Sequence, residues 1–205
     1  MSDLMIDFET IGQDVLRCPI VNCSFFMFDV DRFMAKVPYT YDEILGNTLR
    51  LKLSVEKQVA NGYKFKPGDL DFWDSLGDAA KKQLIPQKND LTYAEFCDKM
   101  LEWMGNKRVD YWWSRSNTFD PLLLWRIFED SGKSPELNNK LKFWKIRDVR
   151  TYIDAKTDFS LTRNGFVPID QNEWNRKFIP HDSRHDVTGD VLRLQCLVRT
   201  EQGLN

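Results

Sequence analysis

The feature that most constrains this chain is a pair of carboxylates within an otherwise apolar strand pattern near the N-terminus. In the stretch L-M-I-D-F-E (residues 4–9), apolar residues occupy every even position, and Asp7 and Glu9 occupy odd ones. Alternation with a period of two residues predicts a β-strand. Side chains two residues apart on a strand lie on the same face, about 7 Å apart. Because neighbouring carboxylates repel each other and resist burial, we expect a positive group between Asp7 and Glu9.

The rest of the chain predicts a mixed α/β sheet flanked by helices, in one domain over residues 1–205. Apolar runs at residues 21–29, 49–53 and 109–114 predict three more strands, and the first two are close enough to form an antiparallel meander with residues 4–9. Capping signals then place the helices. The predicted helices are residues 55–60 after Ser54, a short helix at about 70–76, a helix from the Thr92–Glu95 capping box to Gly105, one from Pro121 to Gly132, and a last helix at about 186–200.

Two further carboxylates stand where a well-packed core would not place them. Asp120 follows the strand at 109–114 and precedes a very apolar helix, and Asp190 lies on the last helix. At 100° per residue, Asp190 is about 60° from the centre of the apolar stripe, so we expect it to look toward the sheet. Each also has a plain structural interpretation: Asp120 as a helix N-cap, Asp190 as a solvated residue, and His185 as a hydrogen-bonded loop residue.

Together these residues have the order and spacing of a known family. The stretches D-F-E-T (residues 7–10), N-T-F-D (117–120) and H-D-V-T-G-D (185–190) resemble the three motifs of the DEDDh 3′-to-5′ exonucleases, a family that includes ribonuclease T and proofreading exonucleases. The resemblance implies a ribonuclease H-like fold. It also implies stepwise release of nucleoside 5′-monophosphates from a 3′ end.

The third motif has two overlapping matches in this sequence. His185 with Asp190 has the required spacing, and so has His181 with Asp186. We prefer the first pair, because the amphipathic helix follows it directly and Pro180 keeps His181 in a loop. Comparing the activity losses of His181→Ala and His185→Ala would decide between them.

The resemblance also assigns the cofactor and the catalytic roles. Asp7, Glu9, Asp120 and Asp190 would hold two divalent cations, and His185 would take a proton from the attacking water. Hard oxygen ligands select Mg²⁺ or Mn²⁺, and two dications cancel the charge of four carboxylates.

Substrate contacts follow by analogy with the same family. Thr10 and Ile11 would face the terminal nucleotide, and Phe119 would pack beside it. Two basic and aromatic stretches, at residues 63–66 and 140–147, have the composition that holds single strands by stacking and phosphate pairing. They are equally consistent with half-exposed secondary structure.

Composition restricts the partners and the compartment. The net charge is −2, so attraction to a nucleic acid must be local or carried by metal ions. Four cysteines without a C-x-x-C pair predict free thiols in the cytoplasm. Charged residues interrupt each apolar run before it is long enough to span a membrane. We expect single-stranded DNA as the preferred substrate; the alternatives are RNA and a non-catalytic nucleic-acid-binding module.

Overall fold

A five-stranded mixed sheet forms the centre of the protein, in the order β3-β2-β1-β4-β5. The computed structural model describes residues 2–159 and 166–204. Strand β1 pairs antiparallel with β2, which pairs antiparallel with β3, whereas β1, β4 and β5 are parallel. The strands are β1 (Ser2–Thr10), β2 (Ile20–Asp29), β3 (Leu49–Lys52), β4 (Trp112–Ser114) and β5 (Ile146–Asp148).

Helices cover both faces of this sheet. Within the described ranges the α-helices are α1 (Tyr41–Asn47), α2 (Val55–Ala60), α3 (Pro67–Asp74), α4 (Asp78–Lys81), α5 (Tyr93–Met104), α6 (Asp120–Asp130), α7 (Ser134–Lys140), α8 (Val149–Lys156), α9 (Gln171–Lys177) and α10 (Ser183–Glu201). Short 3₁₀ helices occur at Val30–Met34, Lys82–Leu84 and Phe143–Lys145. In the described part of the chain, no helix is long and apolar enough to cross a membrane.

The two faces of β1 pack into different apolar clusters, which explains the length and burial of this strand. Leu4, Ile6 and Phe8 belong to the cluster formed with α5 and α6, whereas Met5 belongs to the cluster formed with α10. Because side chains alternate along a strand, Asp7 and Glu9 share the face of Met5 and point toward α10. The sheet is therefore buried on both sides, and its carboxylates are enclosed by the helix that covers it.

The predicted mixed sheet and antiparallel meander are confirmed. Helix α2 has the predicted bounds, with the Ser54 hydroxyl accepting a hydrogen bond from the Lys57 amide, and the Thr92–Glu95 capping box begins α5. Other boundaries differ from the prediction. Strand β4 is three residues long rather than six, and α3 begins at Pro67 rather than near residue 70.

Helix α10 differs from the prediction in a way that matters for the site. It begins at Ser183, three residues before the predicted start, because the Asp182 carboxylate caps it by accepting a hydrogen bond from the Arg184 amide. Asp186 consequently lies in the first turn of the helix. Almost every residue from His185 to Gln195 is buried, so α10 is enclosed rather than amphipathic.

Candidate active site

Three carboxylates meet at the carboxyl end of β1. Asp7 and Glu9 extend from β1, and Asp186 extends from the first turn of α10. One ligand oxygen from each lies within 4.8 Å of the other two. This is the only grouping of at least three metal-ligating side chains found among residues 2–159 and 166–204.

Asp120 joins this group from the start of α6. Phe119, not Asp120, occupies the N-cap position, so the Asp120 carboxylate does not have the capping role that the sequence allowed. It accepts a hydrogen bond of 3.0 Å from the Phe8 amide in β1, between the two β1 acids. This contact fixes the start of α6 against the strand that carries Asp7 and Glu9.

The electrostatics of the group indicate that it needs a cation. Burial, and next the charge of Asp186, raise the pKa of Asp7 and of Glu9 well above their ordinary values. Burial and the charge of Asp190 raise the pKa of Asp186 to about 8. Burial raises the pKa of Asp120 to about 7, against the lowering effect of the Phe8 amide. Four neighbouring acids with raised pKa values repel one another when they are ionised, and bound divalent cations remove that repulsion.

The donor set fits Mg²⁺ or Mn²⁺. All the grouped ligand atoms are carboxylate oxygens, which hard divalent cations prefer, and no thiol or imidazole is among them. The spacing of the oxygens, within 4.8 Å, is short enough for one ion to contact all three acids. The residues present therefore fit the cofactor that the sequence resemblance implied.

Asp190, the α10 acid that we predicted as a metal ligand, is paired with two arginines. Its carboxylate accepts hydrogen bonds from Arg115 Nε at 3.1 Å and from Arg193 Nη1 at 2.9 Å. On a helix Asp190 lies four residues, or about 6 Å along the axis, beyond Asp186 on the same face. The prediction placed the helix start too late and did not include the two arginines. Asp186, rather than Asp190, is therefore the α10 acid that is grouped with Asp7 and Glu9.

His185, the predicted proton acceptor, packs among aromatic side chains. The side chain is buried, and its Nδ1 is 2.6 Å from the Tyr41 hydroxyl. Its ring also packs edge-on against Phe178, with centroids 6.4 Å apart. Burial lowers its pKa. These contacts hold His185 between α1 and the α9–α10 connection.

His181 lies in the loop that precedes the same helix. Its backbone is left-handed, with φ of 59°, and its carbonyl accepts a hydrogen bond from Gln83 Nε2. The half-buried ring packs edge-on against Phe72 of α3 at 4.9 Å between centroids. Gln83 Oε1 in turn accepts from Asn22 and Arg50, each at 2.8 Å. The 3₁₀ turn at residues 82–84 thus anchors the His181 loop to strands β2 and β3.

The residues predicted to contact substrate lie near the end of β1. Thr10 is the last residue of β1, and its carbonyl accepts a hydrogen bond of 3.0 Å from Trp73 Nε1. Ile11 is buried in a small cluster with Trp73. Phe119 is half-buried and packs against the apolar cluster of α5 and α6. Thr10 and Phe119 each stand next to one of the acids along the chain, at Glu9 and Asp120.

A basic cleft of about 870 Å³ opens between β3, the 3₁₀ turn at residues 82–84 and the start of α10. Its walls include Arg50 of β3 and Arg184 of α10, together with Asp182, which pairs with Arg50 at 3.5 Å. The Nε atoms of Arg50 and Arg184 are buried, and neither has a hydrogen-bond partner among residues 2–159 and 166–204. The charge of Arg50 lowers the pKa of Glu9, so this residue adds positive potential at the site.

Sequence reasoning missed several of these residues. Arg115 directly follows β4, and a charged residue at the end of a strand that neighbours β1 was a usable signal. Asp182, directly before the first residue of α10, was a usable N-cap signal. Gln83 had no local signal, because its partners Asn22 and His181 are 61 and 98 residues away.

Comparisons with known proteins match both the sequence and the fold. A family model for the 3′-5′ exoribonuclease Rv2179c-like domain matches residues 2–183, which contain Asp7, Glu9, Asp120 and His181. The exodeoxyribonuclease of Enterobacteria phage T4 is 26% identical over 218 residues, which cover 100% of this chain and 92% of that protein.

Two solved structures share the fold. One is the zinc-bound complex of E. coli exonuclease I with single-stranded DNA, with a TM-score of 0.62, 13% identity, and coverage of 98% of this chain and 41% of that one. The other is exonuclease I from Methylocaldum szegediense, with a TM-score of 0.60, 16% identity, and coverage of 98% and 41%. This chain therefore spans about two fifths of the length of these structures.

Proposed function

Because the chain belongs to the family of 3′-5′ exoribonuclease Rv2179c-like domains, it is a 3′-to-5′ exonuclease, and we propose that its substrate is single-stranded DNA. The products would be nucleoside 5′-monophosphates. Residues 1–205 would act as one catalytic domain. The observation that carries this proposal is the cluster of Asp7, Glu9 and Asp186 at the end of β1. A cation-binding site of this kind favours hydrolysis of a nucleic acid strand, because a phosphodiester is already negative and resists attack by a nucleophile.

We assign the cofactor to this cluster. Asp7, Glu9 and Asp186 would hold two divalent cations, Mg²⁺ or Mn²⁺, with Asp120 completing the site from α6. The bound ions would neutralise the phosphate, generate the nucleophilic water and stabilise the leaving oxygen. Asp7 is central in this assignment, because burial and then the charges of Asp186, Asp120 and Glu9 all raise its pKa.

The protein residues around the cluster position the reaction. His181, at the spacing from Asp186 that the family motif requires, would accept the proton of the attacking water. An imidazole is matched to this role near neutral pH, and His181 is only partly buried. Arg115 and Arg193 would keep Asp190 as a paired carboxylate behind the cluster.

The assignment of His181 and Asp186 replaces our preferred pair, His185 and Asp190, which remains the second candidate. Two contacts support the change. Asp190 is already neutralised by two arginines, and the His185 ring is bonded to Tyr41. Thr10, Ile11 and Phe119 keep their proposed positions around the terminal nucleotide.

DNA is the first candidate substrate and RNA the second. The similarity of the whole chain to the exodeoxyribonuclease of phage T4 favours DNA, whereas the description of the family favours RNA. The carboxylates do not contact the 2′ position, so the sugar must be read by the pocket around Thr10 and Phe119.

Timed digestion of matched DNA and RNA strands labelled at the 5′ end tests this function. We expect a ladder that shortens from the 3′ side in Mg²⁺ or Mn²⁺ and no products in EDTA, with the DNA degraded faster. Asp7→Asn should abolish the ladder while the protein remains folded. Internal cleavage products, or full activity of Asp7→Asn, would contradict the proposal. A folded protein that binds both strands without cleaving either would favour the binding-module alternative.

A further inference from the structure

Two aromatic side chains are exposed at the edge of the sheet, far from the carboxylates. Phe143 and Trp144 form the short turn before β5, with 65% and 62% of their surface accessible. Their rings pack edge-to-face at 5.0 Å between centroids. Tyr111, which precedes β4, is also exposed, and the Arg147 guanidinium lies 4.1 Å above its ring. Exposed aromatic groups of this size normally mark a binding surface.

Positive charge is concentrated around these rings. Residues 105–111 and 140–147 together carry six cationic side chains and one carboxylate, Asp110. The six are Lys107, Arg108, Lys140, Lys142, Lys145 and Arg147. The net charge of the whole chain is −2, so this concentration is a local feature.

The two segments are adjacent in space. Trp112 Nε1 donates a hydrogen bond of 2.9 Å to the Lys142 carbonyl, and Lys145 Nζ lies 3.4 Å from the Val109 carbonyl. Lys140 also bonds to the carbonyl of Gly105. We name the surface formed by residues 107–111 and 140–147 the aromatic–basic patch.

The patch lies at the opposite end of the sheet from the carboxylates. Leu4, Trp112 and Ile146 are aligned across β1, β4 and β5, and the exposed rings precede this row. Asp7 and Glu9 lie three and five residues further along β1, so Glu9 is about 17 Å beyond the row at the usual rise of a strand. The patch is therefore separate from the catalytic site.

We propose that the aromatic–basic patch binds the single strand upstream of the 3′ end that is being hydrolysed. This inference rests on the proposed function in one respect, namely that the substrate is a nucleic acid strand. Bases stack on exposed aromatic rings whatever their sequence, and cationic side chains pair with the phosphates between them. The charge of the patch favours a polyanion over an apolar protein surface. A second binding surface of this kind holds the strand between successive cleavages.

Fluorescence anisotropy of a labelled DNA strand in EDTA tests the patch without hydrolysis. The strand has roughly 30 nucleotides, longer than the ~4–16 that one binding fold covers. We expect Phe143→Ala with Trp144→Ala to raise Kd about 5- to 150-fold for each base that is deprived of its stacking partner. Val37→Ala, which changes an exposed apolar residue elsewhere, should leave Kd unchanged.

A charge variant tests the pairing with phosphates separately. Arg108→Gln with Lys145→Gln should make the slope of log Kd against log salt shallower by about 0.7 for each phosphate that no longer has a cationic partner. Dinucleotide hydrolysis should keep its kcat in both variants, because a dinucleotide does not reach the patch.

The outcomes separate the two proposals. If wild-type protein binds the long strand and both variants leave Kd and the salt slope unchanged, the patch proposal fails and the catalytic one stands. If dinucleotides and strands are not hydrolysed in Mg²⁺, the proposed function fails, while the anisotropy in EDTA still decides on the patch. If the aromatic variant converts a dimer into a monomer in analytical ultracentrifugation and leaves Kd unchanged, the surface is a protein interface and the strand proposal is overturned.

Discussion

At the scale of single residues, the two acids of α10 differ in the side chains that already contact them. Asp190 is paired with Arg115 and Arg193, whereas Asp186 faces Asp7 and Glu9. A carboxylate that is bonded to guanidinium groups offers fewer lone pairs to a metal ion, and its charge is already balanced. The unpaired charge is therefore concentrated on the group formed with Asp186.

Asparagine substitutions at the two α10 acids test this separation. Asp186→Asn should lower the turnover number by more than the roughly 10- to 100-fold that removal of an outer partner of a metal site costs, and Asp190→Asn by an amount within that range. Asp190→Asn should also lower the stability by about 3–5 kcal/mol, because it leaves the buried Arg193 and the half-buried Arg115 without their carboxylate. Activity and urea unfolding of each purified variant measure both effects. A larger activity loss for Asp190→Asn would restore the first register.

The two histidines give a second test at this scale. His181→Ala should slow the chemical step by about 10²- to 10⁴-fold in single-turnover experiments, with metal binding retained. His185→Ala should mainly lower the melting temperature, because the substitution removes the bond between the buried ring and Tyr41. The rates are compared at a temperature where both variants are folded. A greater loss of rate in His185→Ala would identify His185 as the proton acceptor.

At the scale of elements, two segments position the N-terminal end of α10 over the sheet. The Asp182 cap sets the first residue of the helix, and the 3₁₀ turn at residues 82–84 holds the loop that precedes it. Further along the helix, Gly189 allows the close approach of its neighbours: a Cβ atom there would lie 2.9 Å from Arg193 Nη1 and 2.9 Å from Trp174. The position of Asp186 depends on both the loop and this packing.

Substitution of Gln83 tests the loop. Gln83→Leu removes the donor to the His181 carbonyl and the acceptor for Asn22 and Arg50. We expect kcat to fall roughly 10- to 100-fold with a smaller change in KM, because a displaced proton acceptor affects the reaction more than binding. Gln83→Glu keeps the acceptor and removes the donor, so it should show the same fall in kcat. Wild-type kcat and pH profile in Gln83→Glu would contradict a positioning role.

Substitution of Gly189 tests the packing of α10. Gly189→Ala should destabilise the protein by about 1–3 kcal/mol, because the added methyl group overlaps Arg193 and Trp174. Gly46→Ala on α1 is the matched control, since a Cβ atom there meets nothing within 4 Å. That change should stabilise the protein by roughly 0.5–1 kcal/mol. Equal melting temperatures for the two variants would show that α10 adjusts without cost.

At the scale of the whole molecule, the residues that stabilise the fold and the residues of the candidate site occupy different parts of the sheet. Apolar clusters fill both of its faces. The carboxylates gather at one edge of the core, at the carboxyl end of β1 and at the starts of α6 and α10. The raised pKa values of these acids mean that the fold holds them against their repulsion. Metal-free protein is therefore strained at this edge whenever the acids are ionised.

The pH dependence of stability follows from this strain. The pKa values of Asp120 and Asp186 are about 7 and about 8 in the folded protein, against an ordinary 3.8. Between the ordinary pKa and the raised pKa of each acid, the folded chain binds more protons than the unfolded chain. The free energy of unfolding therefore falls as the pH rises through this range. In EDTA, we expect the melting temperature to decrease from about pH 5 to about pH 9.

Metal should reverse this trend. Mn²⁺ at 100 times its Kd adds about 2.7 kcal/mol for each site, and the gain should grow with pH as the acids release their protons. Differential scanning calorimetry with EDTA and with Mn²⁺ measures both curves, and Asp186→Asn should flatten the EDTA curve. A melting temperature in EDTA that rises over this pH range would contradict the raised pKa values.

The sequence by itself predicted strands β1 to β4 and helices α2, α3, α5, α6 and α10, but not β5 or the helices α1, α4, α7, α8 and α9. Alternation fixed β1 and placed Asp7 and Glu9 on one face, capping residues fixed the starts of α2 and α5, and Asp120 followed from its position between a strand and an apolar helix. These features depend on neighbours within a few residues, so local patterns carry them.

Only the tertiary structure shows which acid of the third motif is grouped with Asp7 and Glu9. Asp186 and Asp190 lie one turn apart on the same side of α10, so periodicity treats them alike. The choice depends on where α10 begins against β1 and on Arg115, which is 75 residues from Asp190 in the chain. Long-range contacts of this kind leave no periodic pattern in the sequence, and they set the geometry of the site.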